Sequence, residues 1–186
     1  MRLTERVHAA LSEIIELGDL VVDATMGNGH DTLFLSQLVG AEGNVWGLDI
    51  QEAALQSTQE RLQESPFKNT TLTRASHERM HEHLPSHAIG KIKAVVFNLG
   101  YLPRGPKNVT TSSHSTLGAL ESTHTLLRAS GCVHLLCYTG HETGLLEWEV
   151  ISYWLKENAQ EKWHIHQRSE FDESRRPPVW IELIKK

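Results

Sequence analysis

The chain predicts an α/β fold, a mostly parallel sheet of seven strands that ends in an antiparallel hairpin, with helices on both faces. Three observations lead there. Apolar runs without alternation, such as Lys93 to Asn98 and Gly131 to Tyr138, read as strands buried on both faces, as in a parallel sheet. Such runs alternate with segments of helical periodicity as far as Asn158. The last two strands, Lys162 to Ser169 and Val179 to Ile184, are joined by a short loop holding Pro177 and Pro178, too short for a helical crossover, so they pair antiparallel.

Thr4 to Leu17 carries Val7, Leu11, Ile14 and Ile15 at helical spacing, with Thr4 as the cap and Gly18 as the stop. Such a helix can cover the sheet or the edge of a ligand. The next stretch, Val21-Val22-Asp23-Ala24-Thr25-Met26-Gly27-Asn28-Gly29-His30-Asp31-Thr32, is an apolar strand ended by an acid, a turn with two glycines, and the start of a helix from Asp31 through Leu38 and Val39. Glycine serves where the backbone takes positive φ or admits a ligand closely, and the amides of a helix start suit a polar or anionic group. This loop therefore reads as a cradle for a nucleotide-like cofactor.

Asn44 to Asp49 is a second strand, and its terminal acid lies about 20 residues beyond Gly29, where doubly wound folds place the carboxylate that binds ribose hydroxyls. A helix from Glu52 to Glu64 follows, then a weak strand Thr70 to Arg74 and the strong strand Lys93 to Asn98. Ser115 is positioned to cap a helix through Leu117, Leu120, Leu126 and Leu127, which leads into the strand Gly131 to Tyr138 and a helix from Gly144 to Asn158.

With 186 residues and no Pro/Gly/Ser-rich linker, one domain over 1–186 is expected. No run approaches the roughly 18 apolar residues of a membrane span, and none resembles a signal core, so the chain reads as soluble, unexported and without a membrane partner. Cys132 and Cys137 fall on opposite faces of one strand, a poor geometry for a bridge, which fits the reduced cytoplasm. A net charge of −5 excludes a protein that grips nucleic acid by overall charge. Local basic groups remain: Arg104 with Lys107, Arg168 with Arg175 and Arg176, and Lys91 with Lys93. His77, His81, His83 and His87 crowd one segment, but with no cysteine or fixed acidic partner they read as a solvated face, and no metal is expected. Trp148, Trp154, Trp163 and Trp180 fit a core, and also leave room for an apolar patch and a homodimer.

The fourth strand ends in Asn98-Leu99-Gly100-Tyr101-Leu102-Pro103, at the sheet edge where open α/β folds bind ligands. Its spacing resembles the Asn-Pro-Pro-Tyr motif of amino-group methyltransferases, with Leu99 and Gly100 in place of the prolines. An amine attacks a methyl only through a free lone pair, and the Asn98 side-chain oxygen is suited to accept its N–H bonds and aim that pair. Tyr101 is placed to pack on the substrate or near a cationic centre, a contact worth about 0.5 to 2 kcal/mol. His77 and His141, both on the ligand edge, are candidate proton acceptors.

The terminal hairpin, and the absence of a second mononucleotide half, set this chain apart from nicotinamide-binding domains and make it resemble the class I S-adenosylmethionine-dependent methyltransferases, a Rossmann-like fold. The runs Asp23 to Leu35, Ser76-His77, Phe97 to Pro103 and Gly140-His141-Glu142 are similar to a small bacterial family labelled rRNA methylases. That resemblance implies S-adenosylmethionine as cofactor, held by Asp23, Thr25, Gly27, Asn28, Gly29, Asp31, Thr32, Asp49, Gln51, Ser76, His77 and Asn98, with Asn98, Tyr101 and His141 at the reaction. It also implies methylation of the 5-aminomethyl-2-thiouridine at the tRNA wobble position, with Tyr101, Pro103, Arg104, Lys107, Arg175 and Arg176 on the RNA of the anticodon loop. The family tends to carry Asn-Gln before the paired prolines, where this chain has Phe171 to Arg176. Three readings follow: that tRNA reaction; methylation of another amine, on an rRNA base or a small molecule; or a catalytically silent cofactor-binding module.

Overall fold

Parallel strands place all their carboxyl ends on one edge, and the strand order decides where that edge opens into a crevice. The computed structural model describes residues 2–100, 111–172 and 174–186. Its strands are β1 (Leu20–Asp23), β2 (Asn44–Asp49), β3 (Thr70–Arg74), β4 (Ile92–Leu99), β5 (Leu127–Cys137), β6 (Trp163–Gln167) and β7 (Val179–Lys185). They form one seven-stranded sheet in the order β3-β2-β1-β4-β5-β7-β6. The pairings among β1 to β5 are parallel and both pairings of β7 are antiparallel, that with β6 being the hairpin the sequence predicts. The order reverses between β1 and β4, so the crevice lies between Asp23 and Asn98.

The helices are α1 (Leu3–Ile14), α2 (His30–Val39), α3 (Glu52–Arg61), the short α4 (Met80–His83), α5 (Ser113–Leu126) and α6 (Glu142–Glu157). Two buried clusters show that they cover both faces. One joins Val7 and Leu11 of α1 and Leu35 and Val39 of α2 to Val21, Val96, Leu136 and Trp180. The other joins Met80, Leu120, Trp148 and Ile151 of α4, α5 and α6 to Val22, Val95, Phe97, Leu135 and Ile181. Each fully buried aliphatic or aromatic side chain in these layers contributes about 1.5 to 3 kcal/mol relative to exposure. Strand alternation has a consequence at the edge: Asp23, Asn98 and Tyr138 continue the series Val21, Val96 and Leu136, so all three stand on the face beneath α1 and α2.

Several boundaries differ from expectation for local reasons. Arg2, and not Thr4, caps α1, its amide donating to Glu5 Oε2 at 2.8 Å. Ser112, three residues before Ser115, caps α5 by accepting from the Ser115 amide. The helix from Glu52 stops at Arg61 and tightens into a 3-10 turn over Leu62–Glu64. In β5 the partner of Ile92 is Leu127 and that of Ala94 is Cys132, so residues between them loop out of the ladder, and Ser130 takes a left-handed φ of 58°. The continuous strand begins close to the predicted Gly131.

Trp148, Trp154, Trp163 and Trp180 lie in the core, at 2 to 8% exposure, and offer no surface patch. Cys132 and Cys137 are free and belong to opposite clusters. Among the described residues no helix is long and apolar enough to cross a membrane.

Candidate active site

The loop between β1 and α2 is shaped by polar groups buried beneath it. Asp23, with no exposed surface, accepts from the Thr32 hydroxyl at 2.6 Å and from the Thr25 amide at 3.2 Å, which draws the start of α2 against the end of β1. Gly29 caps α2 with φ 77°, and a Cβ there would stand 2.8 Å from the Thr58 backbone, so the turn requires glycine on two counts. From below, Thr58 Oγ1 donates to the Gly27 carbonyl at 3.1 Å and Arg61 Nε donates to the Asn28 carbonyl at 2.6 Å.

Asp49, at the end of β2, accepts from the Gly27 amide at 3.1 Å through Oδ2 and from the Gln51 amide at 2.9 Å through Oδ1. Each oxygen retains capacity for a further donor such as a ribose hydroxyl. Burial pushes its carboxyl above the usual range, and the amides of Gln51, Gly27 and Ile50 pull it back.

Above this loop opens a cavity of about 980 Å³, at the upper end of the range for ligand sites and with room for a cofactor beside an acceptor group. Thr25, Gly27, Asn28, Asp31, Asp49, Gln51, Ser76, His77, Asn98, His141 and Arg176 line it, so most of the predicted site converges. Asp23, Gly29 and Thr32 do not reach its wall; they hold the loop in shape from behind. Arg175 is exposed and pairs with Asp172 at 3.3 Å. Tyr101, Pro103, Arg104 and Lys107 lie outside the described residues.

At the end of β4, the Asn98 amide donates to Thr25 Oγ1 at 2.7 Å, locking the strand end to the first loop. Its side-chain Nδ2 donates to Asp31 Oδ2 at 3.1 Å, which fixes the amide orientation. The opposite atom, Asn98 Oδ1, is buried and has no hydrogen-bond partner among the described residues. A buried acceptor left unpaired costs about 1 to 3 kcal/mol, so it marks a place prepared for a donor.

The two histidines expected to take a proton differ from that expectation. His77 is buried edge-on to Phe97, and burial lowers its pKa to about 4, opposed by a backbone contact with Ala24. It is neutral at physiological pH and a poor store for a proton. His141 caps α6: its Nδ1 accepts from the Gly144 amide at 3.0 Å, so in the neutral ring the proton sits on Nε2. It presents a donor where a base needs a lone pair. His81, His83 and His87 are exposed while His77 faces the cavity, and among the described residues no group of three metal-ligating side chains converges.

Three contributors were absent from the sequence reading. His8 reaches across from α1 to place Nε2 2.6 Å from Asp31 Oδ1. Tyr138 lines the cavity, its hydroxyl pKa raised by burial and by the Asp31 charge and partly restored by a contact with Asn98. Glu147 of α6 accepts from Thr111 at 2.6 Å and Thr116 at 2.8 Å, tying α5 and the segment before it to the cavity wall. Of the three, only Tyr138 stands at a strand's carboxyl end, just past β5; helical periodicity treats His8 and Glu147 as ordinary polar positions.

A family model described as "Putative rRNA methylase" matches residues 45–184. A chloroplastic tRNA (mnm(5)s(2)U34)-methyltransferase of Arabidopsis thaliana is 37% identical over 159 residues, 81% of this chain. The match spans 57% of that relative's own length. Among solved structures, a "putative rRNA-methylase" from Clostridium thermocellum is 33% identical with a TM-score of 0.92, over 100% of this chain and 98% of that one. A "putative methyltransferase" from Streptococcus mutans, determined in complex with SAH, is 30% identical with a TM-score of 0.85, over 100% and 99% of the two chains.

Proposed function

The chain belongs to the rRNA methylase family, with the class I methyltransferase fold, and from that premise we propose that it is an S-adenosylmethionine-dependent N-methyltransferase acting on the 5-aminomethyl-2-thiouridine of the tRNA wobble position. The observation that carries the reading is Asn98 Oδ1, a buried acceptor with its amide pinned by Asp31, at the wall of the cavity.

The residues present fit the cofactor. Asp49 offers carboxylate lone pairs for the ribose, and the loop from Thr25 to Asn28 offers backbone close to the methionine part. When bound, the cofactor supplies an electrophilic methyl on a sulfonium. The protein's own groups do the rest. Asn98 Oδ1 accepts an N–H of the amine and turns its lone pair toward that methyl, a positioning effect of the kind that removes several kcal/mol of barrier. Thr25 holds the Asn98 backbone, so acceptor site and cofactor loop move as one piece.

An aminomethyl uridine in the anticodon loop is already unpaired, so a chain of this size reaches it without extruding a base from a duplex. Arg176 stands at the cavity for a flanking phosphate, and Arg175 lies exposed beside it. The relative from Arabidopsis, named for mnm(5)s(2)U34 of tRNA, supports this acceptor, while the family description favours a second one, an amine on an rRNA base.

Nucleoside mass spectrometry of tRNA from a deletion strain separates the two. Loss of the 5-methylaminomethyl form with accumulation of 5-aminomethyl-2-thiouridine is expected. An unchanged tRNA profile overturns the assignment.

A further inference from the structure

We propose that His8, acting through Asp31, is the outlet for the proton that the acceptor amine must lose. The inference rests on the amine-methylating reading above. An alkyl ammonium ionises near pH 10, so the substrate enters as R–CH2–NH3⁺, with no lone pair to give. One proton must leave for each methyl transferred.

Among the described residues, few groups at the cavity can take it. His77 is held neutral by burial, and the Nδ1 lone pair of His141 is committed to a helix cap. Both oxygens of Asp49 already hold backbone amides of the cofactor loop, and Asp23 lies behind the wall. Asp31 alone among these joins the acceptor position to solvent. Its Oδ2 receives Asn98 Nδ2 at 3.1 Å, next to the unpaired Asn98 Oδ1 that awaits the amine. Its Oδ1 meets His8 Nε2 at 2.6 Å. The His8 ring lies flat on Phe34, 3.9 Å between centroids at 2°, so its plane is fixed. Exposure rises along the path, from 15% for the Asp31 side chain to 27% for that of His8.

The balance is as follows. The ammonium gives one proton to the Asp31–His8 pair, and His8 passes one to water. The freed nitrogen lone pair forms the N–C bond as the C–S bond breaks, its electrons staying on sulfur. The product leaves as R–CH2–NH2⁺–CH3, so two cations become one cation, a neutral thioether and one released proton. The titratable groups facing the pair are Asp23 on β1 and Tyr138 on β5, with His30 and Arg176 along the same cavity wall.

The test is single-turnover methylation of an anticodon stem-loop bearing 5-aminomethyl-2-thiouridine, across pH, by wild type, His8→Gln and Asp31→Asn, with SAH binding measured by calorimetry. A general base contributes about 10²- to 10⁴-fold. His8→Gln is therefore expected to bind SAH like wild type, lose about 10²-fold in rate at neutral pH, and recover toward wild type as the pH approaches the amine's own pKa. Asp31→Asn, which cuts the same route, is expected to lose rate at neutral pH to a comparable degree and to recover over the same pH range. A wild type inactive on this RNA defeats the functional reading itself. An active wild type whose His8→Gln variant keeps the same rate and pH profile, or loses rate in proportion to SAH affinity, overturns the proton route.

Discussion

The two halves of the crevice are built differently. On the β1–β2 side nearly every polar group is satisfied within the chain: Asp23 by Thr25 and Thr32, Asp49 by Gly27 and Gln51, the Gly27 and Asn28 carbonyls by Thr58 and Arg61. On the β4 side the decisive atom, Asn98 Oδ1, has no partner among the described residues. A satisfied cradle is rigid before its ligand arrives and changes little on binding. An orphaned acceptor is a standing cost that an arriving N–H relieves, so interaction there is reserved for the group that reacts. The cofactor half is made for holding and the acceptor half for selecting.

The sharpest way to break that division is Asn98→Ala. Removing a positioning group should lower turnover by about 10²-fold or more while leaving SAH affinity, read by calorimetry, within about twofold. A parallel loss of both would place Asn98 in the cofactor half. The converse is Asp49→Ala, which removes one carboxylate and frees two amides. At about 1.5 to 3 kcal/mol for a hydrogen bond to a charged group, SAH should bind roughly 10- to 100-fold more weakly. With cofactor saturating, the variant's turnover should recover; a persistent loss at saturation would give Asp49 a part in the reaction.

The contrast between the halves also explains what was legible in the sequence. The parallel strands, the antiparallel hairpin and the loop from Asp23 to Thr32 were readable because burial on two faces, loop length and glycine placement are local signals. So was Asn98, which ends a strong apolar strand. What is not legible there depends on contacts between distant segments. His8 looks like a polar position on an amphipathic helix, and only the docking of α1 through Val7 and Leu11 brings it to Asp31. The family resemblance places Asp23 on the cofactor, while the fold buries it fully as the anchor of Thr32. His141 reads as a base from its place on the edge, while its helix start claims its lone pair.

Rigidity of the cradle is tested by Gly29→Ala. The side chain would need a left-handed backbone and a place 2.8 Å from the Thr58 backbone. A cost of about 2 to 3 kcal/mol is expected from such strain, or roughly a 4 to 12 °C drop in thermal midpoint for a chain of this size. A midpoint within 1 °C or so of wild type would mean the loop yields readily and is no fixed cradle.

The buried carboxylate beneath that loop sets a pH dependence. Burial, then the charge of Asp31, raises the Asp23 pKa to about 7, against lowering contacts from Thr32 and Thr25. The folded protein keeps this proton where the unfolded chain has lost it, so the contribution is present below pH 4 or so and vanishes as pH rises to about 7. His77 and His134, both held near 4 mainly by burial, act oppositely: their contribution is present above about 6.5 and lost as pH falls through 4. These opposing contributions overlap between about pH 4.5 and 6.5, and there Asp23→Asn should make the slope of stability against pH more positive by up to about 1.4 kcal/mol per pH unit in denaturant titrations. An unaltered slope would show Asp23 ionised in the fold.

The smallest effect lies at the rim of the acceptor half, where RNA contacts should be weak singly and sensitive to salt. Arg176 lines the cavity, whereas Arg175 is exposed and already paired with Asp172. Each phosphate contact on a single strand contributes about 0.7 to the slope of log affinity against log salt. Arg176→Ala should therefore weaken binding of an anticodon stem-loop a few-fold and reduce that slope by somewhat under one. Arg175→Ala should do less, because its ion pair with Asp172 competes with any phosphate. Neither should alter SAH affinity, since both stand off the β1–β2 side. If Arg175→Ala proved the more damaging, the RNA would track the exposed hairpin loop and not the cavity mouth, and the acceptor half would extend further from Asn98 than the cavity does.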